Sequence, residues 1–172
     1  MKRRLLFIFL FGGSAFSAET EMLGFPGGYR QWTHVKSMQI RSGHPLHHLF
    51  GGVHHIYANK QALAGYKHGK FAAGSTLVLD LLDARDDGYS VSDGPRKLVA
   101  VMHKDPKKYP DTGGWGFEMF RGENRKDRTV GKDARTACFE CHASQQKNDY
   151  VFSSYGAKSG SEPDSRKRKK KN

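Results

Sequence analysis

The sequence predicts an α+β fold, a mainly antiparallel β-sheet with short helices, and three observations predict it. Five short runs at 32–40, 53–58, 75–82, 96–103 and 115–120 are rich in β-branched and aromatic residues and are bounded by Gly, Pro and Asp clusters. The helix signals between them are brief, each a capping residue followed within a few turns by a stop. The third observation is the motif Cys138-Phe139-Glu140-Cys141-His142, placed after the last strand-like run. Sheet and short helices are therefore expected to gather around what that motif holds.

Taken in order, the first two runs are the opening strands of what five short strands suggest is one antiparallel sheet. Asn59 is a good N-cap for a short helix through Leu63 and Tyr66 that stops near Gly69. The third and fourth runs follow, and Asp105-Pro106 then reads as a second helix start, with Pro at the first helical position. After the fifth run, Asp133 is the expected cap of the helix that carries Cys138, Cys141 and His142.

C-x-x-C-H is the attachment signature of a c-type haem. Two thiols add across the haem vinyl groups and the adjacent imidazole takes an axial position on iron. Residues three and four apart share a helix face, so Cys138, Cys141 and His142 can meet one porphyrin edge. Cys138 and Cys141 are the only cysteines in the 172-residue chain. A structural zinc site would need about four protein ligands, and a thioredoxin-like dithiol would need a βαβ setting, which the pattern lacks. The fold is thus read as packed around one covalently attached haem c, with Cys138, Cys141 and His142 binding the cofactor and His142 the proximal ligand of its iron.

The chain ends are read as outside the domain. Met1-Lys2-Arg3-Arg4, the apolar run 5–11 and the small residues Ala15 and Ser17 have the layout of a signal peptide over 1–17, which implies export to the periplasm. The run is far shorter than the ~20 residues of a membrane span. Residues 158–172 end in Arg166-Lys167-Arg168-Lys169-Lys170-Lys171 and read as a disordered basic tail. Of the formal charge of +12, residues 2–4 carry +3 and residues 162–172 a net +4, leaving +5 for 18–161. Export argues against a nucleic-acid partner. Peripheral contact of the tail with anionic membrane fits its charge.

Read in order, Gly28-Tyr29-Arg30-Gln31-Trp32, His55-Ile56-Tyr57, and Tyr66-Lys67-His68-Gly69-Lys70-Phe71-Ala72-Ala73-Gly74-Ser75 resemble the front half of the cytochrome P-460 and cytochrome c prime-beta family. Lys104-Asp105-Pro106-Lys107-Lys108-Tyr109, Gly113-Gly114-Trp115-Gly116-Phe117, Cys138 to His142 and Asp149-Tyr150-Val151-Phe152 are similar to its back half. The resemblance implies a P-460-like haem c domain over 18–157, a homodimer, and a five-coordinate haem c that meets small nitrogenous or diatomic ligands. In the hydroxylamine-oxidising branch a strand lysine is bonded to the porphyrin edge. Counted from Phe71 and Gly74, the matching position is Leu79, and 76–82 contains no lysine. The cross-link is expected to be absent, and Lys67 and Lys70 to be surface residues.

The candidates for a second axial ligand are His54, His55 and His103. His54 and His55 are consecutive in a strand and face opposite ways, whereas His103 shares a strand face with Val99 and Val101, opposite Met102. His44, His47 and His48 form a weaker metal-binding pattern in a loop. Phe71, Trp115, Phe117 and Phe120 are candidates to pack on the porphyrin. Glu118 and Asp80 are candidates for proton transfer, with an exposed surface role as the simpler reading.

The function expected is a monohaem cytochrome that binds or processes NO or a related nitrogen species and exchanges electrons with a redox partner protein. The alternatives are a six-coordinate electron carrier with a distal histidine, or a haem-dependent oxidoreductase acting on hydroxylamine, NO or peroxide.

Overall fold

The computed structural model describes residues 22–156, so the expected signal peptide and basic tail lie outside the described residues. Five strands form one sheet in the order of the chain: β1 (Thr33–Ile40), β2 (Gly52–Ala58), β3 (Thr76–Asp86), β4 (Val91–Lys104) and β5 (Trp115–Arg121). Every neighbouring pair is antiparallel. A one-turn helix, α1 (His47–Phe50), joins β1 to β2, and α2 (Lys60–His68) joins β2 to β3. This is the α+β, mainly antiparallel architecture that the five runs predict. Among the described residues no helix is long and apolar enough to cross a membrane.

α2 forms for the reason read from the sequence. The Asn59 side chain accepts from Ala62 N at 2.9 Å, satisfying an orphan first-turn amide, and the helix ends with Gly69 in the left-handed region. Asn59 also accepts from Thr76 N and donates to Gly74 O, fastening the helix start to β3.

Three expectations are corrected. Strands β3 and β4 run well past 82 and start well before 96, extending into a hairpin whose turn is closed by Asp87, which accepts from the backbone of Tyr89 and Ser90. Asp105-Pro106 starts only a single turn: Asp105 accepts from Lys107 N and Lys108 N, but the chain reverses through Tyr109 instead of extending a helix. Asp133 makes no side-chain cap. It ends a 3-10 turn, Gly131–Asp133, and its carbonyl accepts from the Thr136 hydroxyl at 3.2 Å.

Register assigns each strand residue to a face, because directly opposed residues point the same way. One face carries the row Ala58, Leu77, Met102, Phe117 and the next row Ile56, Leu79, Ala100, Met119. The other carries Tyr57, Val78, Val101, Glu118 and then His55, Asp80, Val99, Phe120. The second face is sealed by the chain before β1: Phe25 and Tyr29 pack edge-on against each other, with Phe120 and Tyr57 as further partners. Val78, Asp80, Val99 and Phe120 have no exposed surface. The first face is covered only at its upper end, where α2, Phe71 and the segment 138–151 meet Ala58, Leu77, Trp115 and Phe117. Below that, Ile56, Leu79, Ala100 and Met119 stay half-buried.

Two buried carboxylates reverse the expectation of exposure. Asp80, fully buried, accepts from Tyr29 Oη at 2.7 Å, Arg30 Nε at 2.9 Å and Arg96 Nε at 2.7 Å. Burial pushes its carboxyl up, but the bonds from Arg96, Tyr29 and Arg30 together outweigh that and hold it below the usual range. Glu118, 2 % exposed, accepts from Val130 N, Met119 N and Arg128 Nη1. Both are fully engaged in holding loops to the sealed face.

Candidate haem-attachment site

The chain after β5 reaches the half-covered face through a loop and then coils. A π-helical segment, Arg135–Phe139, passes into the turn α3 (Glu140–His142) and on into a 3-10 segment, Ala143–Asn148. Cys138 thus sits in the widened part and Cys141 and His142 in the regular turn. A π-helical insertion has no reliable sequence signature and recurs at functional sites. Cys138 is half-buried against the core cluster of Phe71, Trp115 and Phe117, and Cys141 is exposed. Both thiols are free. Burial pushes the Cys138 thiol up to about 11, with the charges of Glu118 and Cys141 adding to it. A redox-active dithiol needs the opposite shift.

The His142 imidazole lies between Phe117 and Phe152, with centroids 5.1 and 5.0 Å away. Its Nδ1 meets Tyr150 O at 2.7 Å. A carbonyl only accepts, so Nδ1 carries the proton and Nε2 keeps its lone pair. Burial holds the imidazole below its ordinary range, in the neutral form a metal requires, against the opposing pull of the Tyr150 carbonyl.

That carbonyl is delivered by strained backbone. Asp149 and Tyr150 both adopt the left-handed region, at φ 52° and 67°, a conformation that costs a non-glycine residue of order 1 kcal/mol. Buried contacts hold it. Asp149 accepts from Lys104 Nζ at 2.6 Å and from Phe71 N at 2.8 Å, and its carbonyl accepts from Trp115 Nε1 at 2.9 Å. Lys104, 6 % exposed, also donates to Gly113 O and lies 4.9 Å over the Trp115 ring. Gly113 is at φ 63°, and a Cβ there would stand 2.2 Å from the Tyr150 ring. Sequence reasoning did not single out Lys104, Gly113, Asp149 or Tyr150 as positioning residues. Their signal is a non-local convergence of four chain segments.

Of the candidate distal ligands, His54 shares the face of His142 and Phe117, whereas His55 and His103 stand on the sealed face. Each is engaged locally: His54 Nε2 donates to Phe50 O at 2.6 Å, His55 bonds Ser37 and Asp93, and His103 Nδ1 meets Thr76 Oγ1 at 2.9 Å. Phe71, Trp115 and Phe117 lie in the cluster that receives Cys138, but Phe120 packs on the opposite face with Tyr29. Lys67 and Lys70 are exposed. His44, His47 and His48 do not converge: among the described residues no three His, Cys, Asp or Glu side chains are grouped to hold an ion.

The residues present fit a c-type haem. They supply two free thiols at the right spacing, an imidazole with its tautomer fixed, and a half-covered apolar row beside them. The sequence pattern of the family Cytochrome P460 matches residues 26–153. No curated protein matches the chain.

Proposed function

The chain belongs to the cytochrome P460 family of haem cytochromes, and from that premise we propose that it is a periplasmic monohaem cytochrome c that binds NO or a related small nitrogen species at an open iron site. In this reading Cys138 and Cys141 form the two thioethers and His142 Nε2 is the proximal ligand. The observation that carries it is the engagement of the distal candidates. His55 and His103 point away from the His142 side, and His54 is tied to Phe50 O. When bound, the haem supplies an iron that takes a diatomic ligand and exchanges one electron.

The chain's own residues set the conditions. Tyr150 O holds the Nδ1 proton of His142, which fixes the tautomer and raises the basicity of Nε2 toward metal, while burial keeps the ring neutral. Ile56, Leu79, Ala100 and Met119 form an apolar wall without a hydrogen-bond donor, which favours NO or CO over a ligand that needs a donor. Leu79, in the middle of that wall, leaves no amine for a porphyrin cross-link, so hydroxylamine oxidation is not the reading supported. A redox partner protein and a homodimeric assembly complete the proposal.

Intact-mass analysis and absorption spectra of the exported protein test it. One covalent haem, a high-spin ferric form, and fast NO or CO binding to the ferrous form are expected. Low-spin spectra in both oxidation states that turn high-spin on changing His54 or Met119 to alanine would overturn it in favour of an electron carrier.

A further inference from the structure

On the sealed side of the sheet, remote from His142, four polar side chains form a linear hydrogen-bonded chain. His34 Nε2 lies 2.9 Å from Ser37 Oγ, Ser37 Oγ lies 2.7 Å from His55 Nδ1, and His55 Nε2 lies 3.0 and 3.2 Å from the two Asp93 oxygens. The proton order follows from the carboxylate end. Asp93 only accepts, so His55 carries its proton on Nε2 and presents the Nδ1 lone pair to Ser37. The Ser37 hydroxyl donates to it and accepts from His34 Nε2–H; for an ion to bind there, His34 moves its proton to Nδ1, which frees the Nε2 lone pair.

Two imidazole nitrogens from neighbouring strands therefore aim at one point, now filled by a hydroxyl that a change of rotamer removes. The His34 ring is set by edge-on packing against His55 and Tyr57, at 5.8 and 5.6 Å. The His55 ring is set by Asp93 from the β3–β4 hairpin. A histidine whose far N–H is fixed by a carboxylate is the usual outer arrangement of a metal-ligating imidazole. His34 and Ser37 are exposed, so an ion has direct access and water can complete its coordination. Asp93-His55-Ser37 also has the order of an acyl-transfer relay, but His34 bonds the Ser37 oxygen from the other side, where an acyl group would have to form.

We propose that His34 Nε2 and His55 Nδ1 form a solvent-open binding site for a divalent transition-metal ion, with copper(II) the preferred occupant. Two imidazoles and water oxygens suit copper(II), and copper stands highest among the divalent first-row ions at such ligands. The site is independent of the haem, so its failure would leave the haem reading untouched, and the reverse also holds.

The test is equilibrium dialysis of the mature haem-loaded protein against copper(II), with electron paramagnetic resonance of the bound ion. Wild type should retain one ion with nitrogen hyperfine structure from two imidazoles. His34→Ala and His55→Ala should each weaken binding at least tenfold, and Asp93→Asn should weaken it about tenfold through the loss of ring orientation. A combined His44→Ala, His47→Ala, His48→Ala variant should bind as wild type does. An unchanged haem spectrum and circular dichroism show that each variant is folded. Wild-type affinity in both His34→Ala and His55→Ala, or loss of binding only in the combined variant, would overturn the assignment.

Discussion

Replacing Gly113 by alanine probes the link between the β4–β5 connection and His142 with a single methyl group. The new Cβ would lie 2.2, 2.6 and 2.7 Å from Tyr150 Cε2, Cζ and Cδ2, far inside contact distance. The ring has little freedom to retreat, since it packs 5.2 Å from Phe139 and its own backbone is bonded to Gln145 O and His142. Two costs combine: about 1 kcal/mol for a side chain at φ 63° and ~1–3 kcal/mol for overpacking against a held ring. Gly28→Ala separates them. Gly28 has φ 71° with nothing within 4 Å of its Cβ position, so only the backbone term applies. Urea unfolding followed by far-ultraviolet circular dichroism should place Gly113→Ala below Gly28→Ala by ~1–3 kcal/mol. Displacing Tyr150 O also weakens the Nδ1 bond of His142, making the imidazole a poorer donor. The haem reduction potential should rise in Gly113→Ala and stay at the wild-type value in Gly28→Ala. Equal stabilities with both potentials unchanged would refute the argument that Gly113 and Tyr150 together set the His142 tautomer.

Four further outcomes are expected. Asp80→Asn removes the anion shared by Tyr29, Arg30 and Arg96 and should cost ~3 kcal/mol in denaturant titration, whereas Asp83→Asn, 3.8 Å from Lys97 and exposed, should cost under ~0.5 kcal/mol. Because the folded Asp80 carboxyl is held below its unfolded range, its contribution is full above the unfolded value and is lost as pH falls through the folded one, so wild type should show a steeper acid loss of stability than Asp80→Asn. Asp149→Ala leaves Lys104 buried without its carboxylate and frees Phe71 N; loss of ~3 kcal/mol and a disturbed haem spectrum are expected, and a wild-type spectrum would contradict the role given to the 149–150 segment. Proteolysis should release a haem peptide covering Cys138 to His142 with nothing from 71–82 attached, as checked by mass spectrometry; an attached peptide would restore the cross-linked reading of Leu79.

Much of this protein was legible in the sequence because its signals are local. Strand periodicity, the Asn59 cap and the Gly69 stop are decided within a few residues, and the structure keeps all of them. C-x-x-C-H is likewise a contiguous pattern whose spacing follows from the chemistry of the group it holds. Alternation alone placed His54 and His55 on opposite faces, and Met102 opposite His103.

The tertiary structure decided what alternation leaves open, namely which face meets His142. A strand pattern fixes the period of its side chains but not the identity of the two sides, and only the packing of Phe25 and Tyr29 against Phe120 and Tyr57 seals one of them. That packing moved His55, His103 and Phe120 away from the His142 side and buried Asp80 and Glu118, whose burial rests on partners as distant as Tyr29 and Arg128. The brief turn at Asp105 and the uncapped start of the 135–142 coil also depended on distant groups, because the chain there is shaped by Gly113, Gly114 and the sheet edge more than by its own propensity. The positioning of His142 is the extreme case. Lys104, Gly113, Trp115 and Asp149 act together on one carbonyl, and a convergence of residues from separate parts of the chain is written in three-dimensional packing, not in any window of sequence.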